Sequence, residues 1–148
     1  MGELRIRKAE KDDLCKLLEL YTNLHDNHYP LIDDRIENIW SRIISDDNHF
    51  ILLGHIDNVL VSSCVIVVIE NLTRNQRPYA VIENVITHPD YRNCGYASLI
   101  LSSAKDIAIE KNCYKIMLMT GSKQETTLNF YRRAGYNSED KTAFIQWL

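Results

Sequence analysis

The chain has 148 residues, of which 45% are hydrophobic and 25% charged, and this length suits a single domain, 1–148, with one substantial core. Its formal net charge of −3 argues against a nucleic-acid-binding face, which needs a basic stripe of Lys and Arg. The longest uncharged stretch of the first half is too short for a membrane helix and the start has no hydrophobic signal core, so we expect a cytoplasmic protein with no membrane partner.

A strand and two helices are predicted at the start of the chain. Residues 4–7 alternate apolar and charged side chains, as a half-buried strand does. Apolar residues at helical spacing predict one helix over about 11–24 and a second over about 34–45. The polar segment between them contains His25 and His28, but no third ligand lies nearby in sequence, so we interpret it as a loop and expect no metal.

The middle of the chain predicts an antiparallel run of strands. Residues 50–56 and 59–69 are β-branched apolar runs joined by Asp57-Asn58, a pair that accepts the positive φ of a two-residue hairpin. After a polar loop, residues 79–87 predict a further strand, which Pro89 ends.

A parallel crossover is predicted next. Apolar residues at helical spacing predict a helix over 95–111, and 114–120 reads as a strand. Residues 79–120 therefore predict one βαβ unit, which should be parallel and right-handed.

The end of the chain predicts a short helix and a closing strand. Ser122 and Glu125 have the spacing of a capping box at the start of a helix over about 123–134. Residues 142–148 are expected to close the sheet. The predicted class is α/β (α+β), with a mixed, mostly antiparallel sheet and flanking helices.

The most informative segment runs from a strand through a tight loop into the long helix, with the sequence Glu83-Asn84-Val85-Ile86-Thr87-His88-Pro89-Asp90-Tyr91-Arg92-Asn93-Cys94-Gly95-Tyr96-Ala97. Backbone N–H groups at the start of a helix, together with the positive end of its dipole, form a site for a pyrophosphate. The spacing Arg92-x-x-Gly95-x-Ala97 keeps small residues where the backbone must approach the phosphates. The loop therefore indicates an anion-binding turn.

Three segments together resemble the GNAT superfamily, the acyl-CoA-dependent N-acyltransferases, over essentially the whole chain. They are Ile6-Arg7-Lys8-Ala9 leading to Asp13-Leu14, the loop just described from Val85 to Ala97, and Asn129-Phe130-Tyr131-Arg132-Arg133-Ala134-Gly135-Tyr136. Shorter stretches at 82–85 and 112–116 are similar to the glucosamine-6-phosphate N-acetyltransferase branch. Family members usually carry Gly where this chain has Asn93, and often where it has Ala97. Asn tolerates left-handed geometry, so the loop should still bind acyl-CoA.

The resemblance implies a GNAT fold and acetyl-CoA as the cosubstrate. It implies that the pantetheine arm pairs like an added strand with the main chain of Val85, Ile86 and Thr87. Asn129 resembles a family side chain that contacts the pantetheine or phosphate region. The pyrophosphate is expected at a continuous run of residues: Arg92, Asn93, Cys94, Gly95, Tyr96, Ala97 and Ser98.

Two side chains are candidate catalytic groups for direct attack of an amine on the thioester in a ternary complex. Glu83 is the candidate base because it lies two positions before Val85, and its alternative role is to bind substrate without moving protons. Tyr131 resembles the family tyrosine that points at the CoA sulfur, which makes it the candidate acid, with packing as the alternative. Cys94 has no His partner placed by sequence, so we interpret it as a small loop residue rather than a nucleophile.

No motif names the acetyl acceptor, which we expect to be a small-molecule amine. Arg74 and Arg77 could supply the cationic donors that an amino sugar phosphate requires, while an amino acid, a polyamine or a protein amine stays open. The rival function is a non-catalytic acyl-CoA-binding sensor or assembly module. Exposed C-terminal strands often pair in this family, which is compatible with a homodimer.

Overall fold

The computed structural model describes residues 2–25 and 27–148, so Met1 and Asp26, the latter within the predicted loop, lie outside the described residues. In these ranges five strands form one sheet in the order β1-β2-β3-β4-β5: β1 Leu4–Lys8, β2 His49–Ile56, β3 Val59–Ile69, β4 Tyr79–Thr87 and β5 Ile116–Leu118. The same part of the chain forms four α-helices: α1 Leu14–Tyr21, α2 Asp34–Ser45, α3 Tyr96–Glu110 and α4 Glu125–Arg133. None of these helices is both long and apolar enough to cross a membrane.

The sheet is mixed, as predicted. Strands β1 to β4 pair antiparallel with their neighbours, and β5 runs parallel to β4 after the crossover through α3. The β2–β3 hairpin turns at Asp57, whose φ of 53° is the left-handed geometry expected of a two-residue hairpin. Both the hairpin and the parallel βαβ unit are therefore confirmed.

Helices cover both faces of the sheet. α3 and α4 pack on one face, where buried residues of the sheet meet the apolar side of α3: Phe50, Leu52, Cys64, Ile66, Ile82, Ile100, Leu101 and Ala104. α1 and α2 pack on the other face, over Ile51, Leu53, Val65 and Ile86. A Cβ at Gly54 would lie 3.1 Å from Ile100 Cδ1 and 3.2 Å from Leu4 Cδ1, so glycine lets α3 approach the sheet closely.

Several predicted elements differ from the structure at their ends. The first helix begins with a 3₁₀ turn, Lys11–Asp13, and its α-helical part ends at Tyr21, whereas β5 has three residues rather than seven. The predicted capping box does not form. The Ser122 hydroxyl instead accepts from the Gln124 N–H and bonds to Thr127, because Gln124 is the residue that precedes the helix.

The prediction that residues 142–148 close the sheet is wrong. No strand is assigned there, and every side chain from 139 to 148 is exposed, including Phe144 at 91% and Trp147 at 88%. The apolar and aromatic residues of this segment suit a strand, but a strand also requires an edge to pair with, and among the described residues β5 pairs with β4 alone. Local pattern was therefore insufficient to specify this element.

Candidate active site

The middle of β4 contains a bulge at Asn84. Ser63 of β3 pairs with Ile86, whereas Val65, two residues further along, pairs with Glu83, so β4 carries one extra residue between the two pairs. Asn84 adopts a φ of 52°, in the left-handed region that Asn accepts more readily than most residues. Such a bulge interrupts the ladder and redirects the side chains that follow it.

The bulge changes which face of the sheet the residues of β4 occupy. In a regular strand, residues on one face are two or four positions apart. Here Ile82, before the bulge, and Val85, after it, both pack on the α3 side although they are three positions apart. Glu83 lines a cavity beneath α1 and α2, and Ile86 is buried on that side. Adjacent stretches of one strand thus contribute to sites on opposite faces of the sheet.

On the α3 side lies a cleft of about 520 Å³, which we call the loop cleft. It is lined by the end of β4, the loop before α3, the first turn of α3 and one side of α4: Val85, Thr87, Tyr91, Arg92, Asn93, Gly95, Tyr96, Ala97, Ser98, Thr126, Thr127 and Phe130. Eight of the eleven residues expected to hold the cosubstrate lie in this lining.

The loop at this cleft is shaped by two left-handed residues, Asn93 with a φ of 61° and Gly95 with a φ of 81°. Arg92 Nε donates to the Thr87 carbonyl oxygen at 3.2 Å, which ties the loop to the end of β4. The Leu99 N–H donates to the Gly95 carbonyl oxygen. The N–H groups of the first turn of α3 come before Leu99 and therefore before the start of the helix's own hydrogen bonds. The positive end of the α3 dipole therefore borders the cleft.

Three of the expected cosubstrate residues lie outside this lining. The Ile86 side chain is buried on the α1 and α2 face. Cys94 packs against the buried cluster of Ile56, Val61 and Tyr96, and its thiol donates to the Arg92 carbonyl oxygen at 3.4 Å. Asn129 Oδ1 accepts from Arg132 at 3.0 Å. The interpretation of Cys94 as a small loop residue stays a prediction.

On the opposite face, between α1, α2 and the sheet, lies a second space of about 460 Å³, which we call the α1–α2 cavity. Its lining is strongly apolar: Leu14, Leu17, Leu18, Tyr21, Ile36, Ile39, Trp40, Ile43, His49, Ile51, Val65, Val67, Glu83 and Asn84. Trp40 Nε1 donates to the Lys11 carbonyl oxygen at 2.9 Å, which fixes α2 against the 3₁₀ turn that precedes α1. Among the described residues of this lining, the exposed Glu83 is the one carboxylate.

Sequence analysis missed the polar groups that surround the bulge. Burial raises the pKa of Tyr21 to about 12, against a smaller lowering by the neighbouring side chains of Asn84 and Ser63. Among the described residues, the Tyr21 hydroxyl and the fully buried Ser63 Oγ make no hydrogen bond of normal geometry. The signal for this site was Asn84, a turn residue in the interior of a β-branched run.

Tyr131 lies in α4, and its ring is half-buried against the α3 side of the core. The ring stacks edge-on with Phe130, which lines the loop cleft, and with Tyr136, at centroid distances of 4.9 and 6.3 Å. Burial raises the pKa of Tyr131, and the nearby Cys64 thiol adds to the effect. Cys64 lies in β3 between the residues that pair on either side of the bulge, so Tyr131 is close to this part of β4.

Arg74 and Arg77 lie in neither lining. Arg77 donates to the carbonyl oxygens of Asn112 and Cys113 at 3.1 and 2.9 Å, and the Arg74 guanidinium lies 5.7 Å from the centroid of the Tyr114 ring. Both cations therefore stabilise the connection that leads into β5. Over residues 2–25 and 27–148, no three His, Cys, Asp or Glu side chains form a group that could hold a metal.

Comparison with known proteins gives a consistent family assignment. A model of the acetyltransferase (GNAT) family matches residues 12–136. A glucosamine 6-phosphate N-acetyltransferase from Trypanosoma brucei brucei is 26% identical over 140 residues, which cover 94% of this chain and 92% of that protein.

Solved structures agree with this result. One from Agrobacterium tumefaciens str. C58, described as "Putative acetyltransferase", has a TM-score of 0.89 at 30% identity and covers 97% of this chain and 99% of its own. A glucosamine-6-phosphate N-acetyltransferase from Arabidopsis thaliana has a TM-score of 0.85 at 19% identity, with 99% of both chains covered, and this likeness concerns the fold alone.

Proposed function

The chain belongs to the acetyltransferase (GNAT) family, and from this premise we propose that it transfers an acetyl group from acetyl-CoA to a small primary amine by direct attack in a ternary complex. As a member of this family it is an acetyl-CoA-dependent N-acetyltransferase. The identity of the acceptor and the roles of individual side chains are the substance of the proposal.

The observation that carries this proposal is the bulge at Asn84. Because it reverses the alternation of β4, Glu83 lines the α1–α2 cavity while Val85 and Thr87 line the loop cleft. A thioester bound along the cleft and an amine bound in the cavity would therefore meet at consecutive residues of one strand. Holding two reactants at adjacent positions supplies much of the catalysis in a two-substrate transfer.

In this proposal the donor is held mainly by backbone. The diphosphate lies against the amides of the loop 92–95 and of Ala97 and Ser98, where the helix dipole favours negative charge. The pantetheine arm pairs with the main chain of Val85, Ile86 and Thr87 as an added strand. Ile86 contributes through its backbone, which is consistent with a side chain buried on the other face.

The reaction removes two protons from the amine nitrogen and adds one to the departing sulfur. A lysine-like amine, with a pKa of about 10.4, costs about 4.6 kcal/mol to hold neutral at pH 7. Glu83 accepts this proton, directly or through water, and the amine nitrogen then attacks the thioester carbonyl carbon. When the C–S bond breaks, Tyr131 donates its phenolic proton to the departing thiolate. The attacking nitrogen loses its second proton as it becomes an amide, and this proton returns to the Tyr131 phenolate through solvent. The products are an N-acetyl amide and the free thiol of CoA.

The direct test offers acetyl-CoA and a panel of primary amines to the protein and follows both thiol release and the acetylated product by mass spectrometry. We expect equal amounts of thiol and amide. Stabilisation of the protein by acetyl-CoA without any turnover on the panel would favour the non-catalytic sensor instead.

The role of Glu83 is tested separately by Glu83→Gln. A base is needed less when the amine is already neutral. If Glu83 is the base, the kcat of the variant should therefore recover as the pH approaches the pKa of the amine substrate. A carboxylate that only binds the substrate predicts a raised KM for the amine and a kcat with the pH dependence of the unmodified protein.

A further inference from the structure

We propose that the acceptor is a primary amine with an apolar body and no phosphate or other anionic group, such as an arylalkylamine, and that it is bound in the α1–α2 cavity. This inference rests on the proposed acetyl transfer and names the substrate class of the same site. It departs from the amino sugar phosphate that gives the Trypanosoma brucei brucei relative its name.

The cavity has the size and surface of a site for a small apolar molecule. Its volume of about 460 Å³ lies within the range of about 300–1,000 Å³ that is usual for ligand sites. Most of the lining consists of aliphatic side chains from both helices and the sheet, together with the indole ring of Trp40. A hydroxyl-rich sugar would leave its polar groups unpaired against these walls, which is unfavourable.

The polar groups of the cavity are gathered mainly at one place. Glu83, Asn84 and the Tyr21 hydroxyl all lie at the bulge, and His49 on β2 is a further polar side chain of the lining. An ammonium group would therefore be drawn to Glu83 by charge, and the body of the molecule would extend between α1 and α2. This orientation brings the amine to the part of β4 that adjoins the loop cleft.

A phosphate would lack a partner in this cavity. Recognition of phosphate in proteins relies on Arg, Lys or clustered backbone N–H groups. Among the described residues that line the cavity there is no Arg or Lys, and its one charged group is the Glu83 carboxylate, which repels an anion. Arg74 and Arg77, the cations that an amino sugar phosphate could have used, contact Tyr114 and backbone carbonyl groups near β5.

The kinetic test compares four acceptors with acetyl-CoA: 2-phenylethylamine, n-hexylamine, glucosamine 6-phosphate and spermidine. We expect kcat/KM for the two apolar amines to exceed that for the sugar phosphate and the polyamine by at least about a hundredfold, or about 2.7 kcal/mol. A kcat/KM for glucosamine 6-phosphate or spermidine equal to or above that of 2-phenylethylamine would overturn the inference and leave the acetyl transfer intact.

A matched pair of variants locates the acceptor. Ile39→Asn places an amide in the cavity wall at a residue that is 38% exposed, so folding should tolerate it. Ile109→Asn makes the same change on the exposed side of α3, at a residue that is 64% exposed. We expect Ile39→Asn to raise the KM for 2-phenylethylamine about tenfold with an unchanged KM for acetyl-CoA, and Ile109→Asn to change neither. Equal effects of the two variants would contradict the proposed location.

Binding can be measured without turnover. The chain has two Trp residues, so in Trp147→Phe the fluorescence reports Trp40, which lines the cavity. We expect a saturable change with 2-phenylethylamine and none with glucosamine 6-phosphate. Saturable binding of 2-phenylethylamine without acetylation would reject the proposed acetyl transfer, but it would support the preference of the cavity for apolar amines. An unchanged signal at concentrations that saturate turnover would reject the cavity as the acceptor site.

Discussion

At the scale of single residues, the phenol of Tyr131 supplies the sharpest test of the proposed chemistry. Burial raises its pKa, so the phenol keeps its proton throughout the neutral range and loses it only above about pH 10, the ordinary value for tyrosine. We expect Tyr131→Phe to lower kcat by about 10²–10⁴-fold with little change in the KM for acetyl-CoA. In the unmodified protein, activity should fall as the pH rises through the raised pKa of the phenol.

Tyr136→Phe is the control for this prediction. Tyr136 stacks on Tyr131, and burial raises its pKa to about 12, but the proposal gives it no proton to transfer. It should therefore retain most of the kcat. Equal activity of Tyr131→Phe and Tyr136→Phe would mean that Tyr131 only packs, which is the alternative that its half-buried ring allows.

The ion pair of Arg7 and Asp13 predicts a pH dependence of stability. Arg7 contacts both carboxylate oxygens of the nearly buried Asp13, at 2.6 and 2.7 Å, and this hydrogen bonding lowers the pKa of Asp13. Because the pKa of Asp13 is lower in the folded protein, ionised Asp13 stabilises the fold at a pH above its unfolded pKa of about 3.9. This stabilisation is lost as the pH falls through the folded pKa.

Asp13→Asn should therefore lower the free energy of unfolding at pH 7 by about 1.5 kcal/mol, at the low end for charged hydrogen bonds because Arg7 is partly exposed. The difference from the unmodified protein should shrink below about pH 4. Urea unfolding measures both values, and Asp12→Asn, at an exposed neighbour, is the control. A loss that is independent of pH would show that Asp13 acts through its shape rather than its charge.

Residue types predicted part of the site and missed part of it. Glu83 and the loop from Arg92 to Ser98 could be predicted as site residues because they lie close together in one segment of the sequence. Tyr21, Ser63 and Asn84 come from three different elements and meet only because β4 bulges. No local pattern predicts that meeting, although an Asn inside a strand signals that the backbone is irregular there.

At the scale of elements, the turn into α3 depends on the left-handed geometry of Gly95. A Cβ there would meet no atom within 4 Å, and the same is true of Gly135, which follows α4 with a φ of 95°. Alanine at either position should therefore destabilise the fold by a similar amount, about 1–2 kcal/mol, through backbone strain alone. Gly95 lines the loop cleft, whereas Gly135 does not.

Gly95→Ala should weaken acetyl-CoA binding about tenfold, equivalent to about 1.4 kcal/mol, because the strained turn misplaces the amides that face the diphosphate. Gly135→Ala should leave the affinity unchanged. Isothermal titration calorimetry at a temperature where both variants are folded measures the difference. Equal affinities in the two variants would remove this loop from the account of cosubstrate binding.

Most elements could be predicted because their signals are local. Helical periodicity specified α2 and α3, and the Asp57-Asn58 pair specified the hairpin. The closing strand failed because pairing of residues 142–148 depends on an edge elsewhere in the chain, and β5 offers only three paired residues. Apolar and aromatic composition alone does not decide between a strand and an exposed segment.

At the scale of the whole molecule, the exposed C-terminal segment predicts the effect of truncation. Residues 142–148 belong to no helix or strand, and their side chains are exposed. Removing them should change the free energy of unfolding by less than about 0.5 kcal/mol, as for other exposed positions. Urea unfolding of the truncated and full-length chains measures this. A much larger loss would mean that the segment packs in solution, against its own sheet or a second copy.

The fold explains why two cavities adjoin at one strand. Helices on both faces of a single sheet create two separate spaces, and an irregular β4 gives each of them adjacent backbone positions. The resemblance in sequence predicted the family and the loop, but the apolar character of the α1–α2 cavity follows from residues far apart in the chain. The class of acceptor could therefore be proposed only from the structure.

The most direct test of the account is an amide-resolved NMR titration with CoA, compared with pantetheine, which has the same thiol arm but no diphosphate. We predict that CoA shifts the amide resonances of 85–87 and 92–98, and that pantetheine shifts those of 85–87 alone. Resonances of 92–98 that stay in place at saturating CoA, or that respond equally to pantetheine, would contradict a diphosphate site at the start of α3.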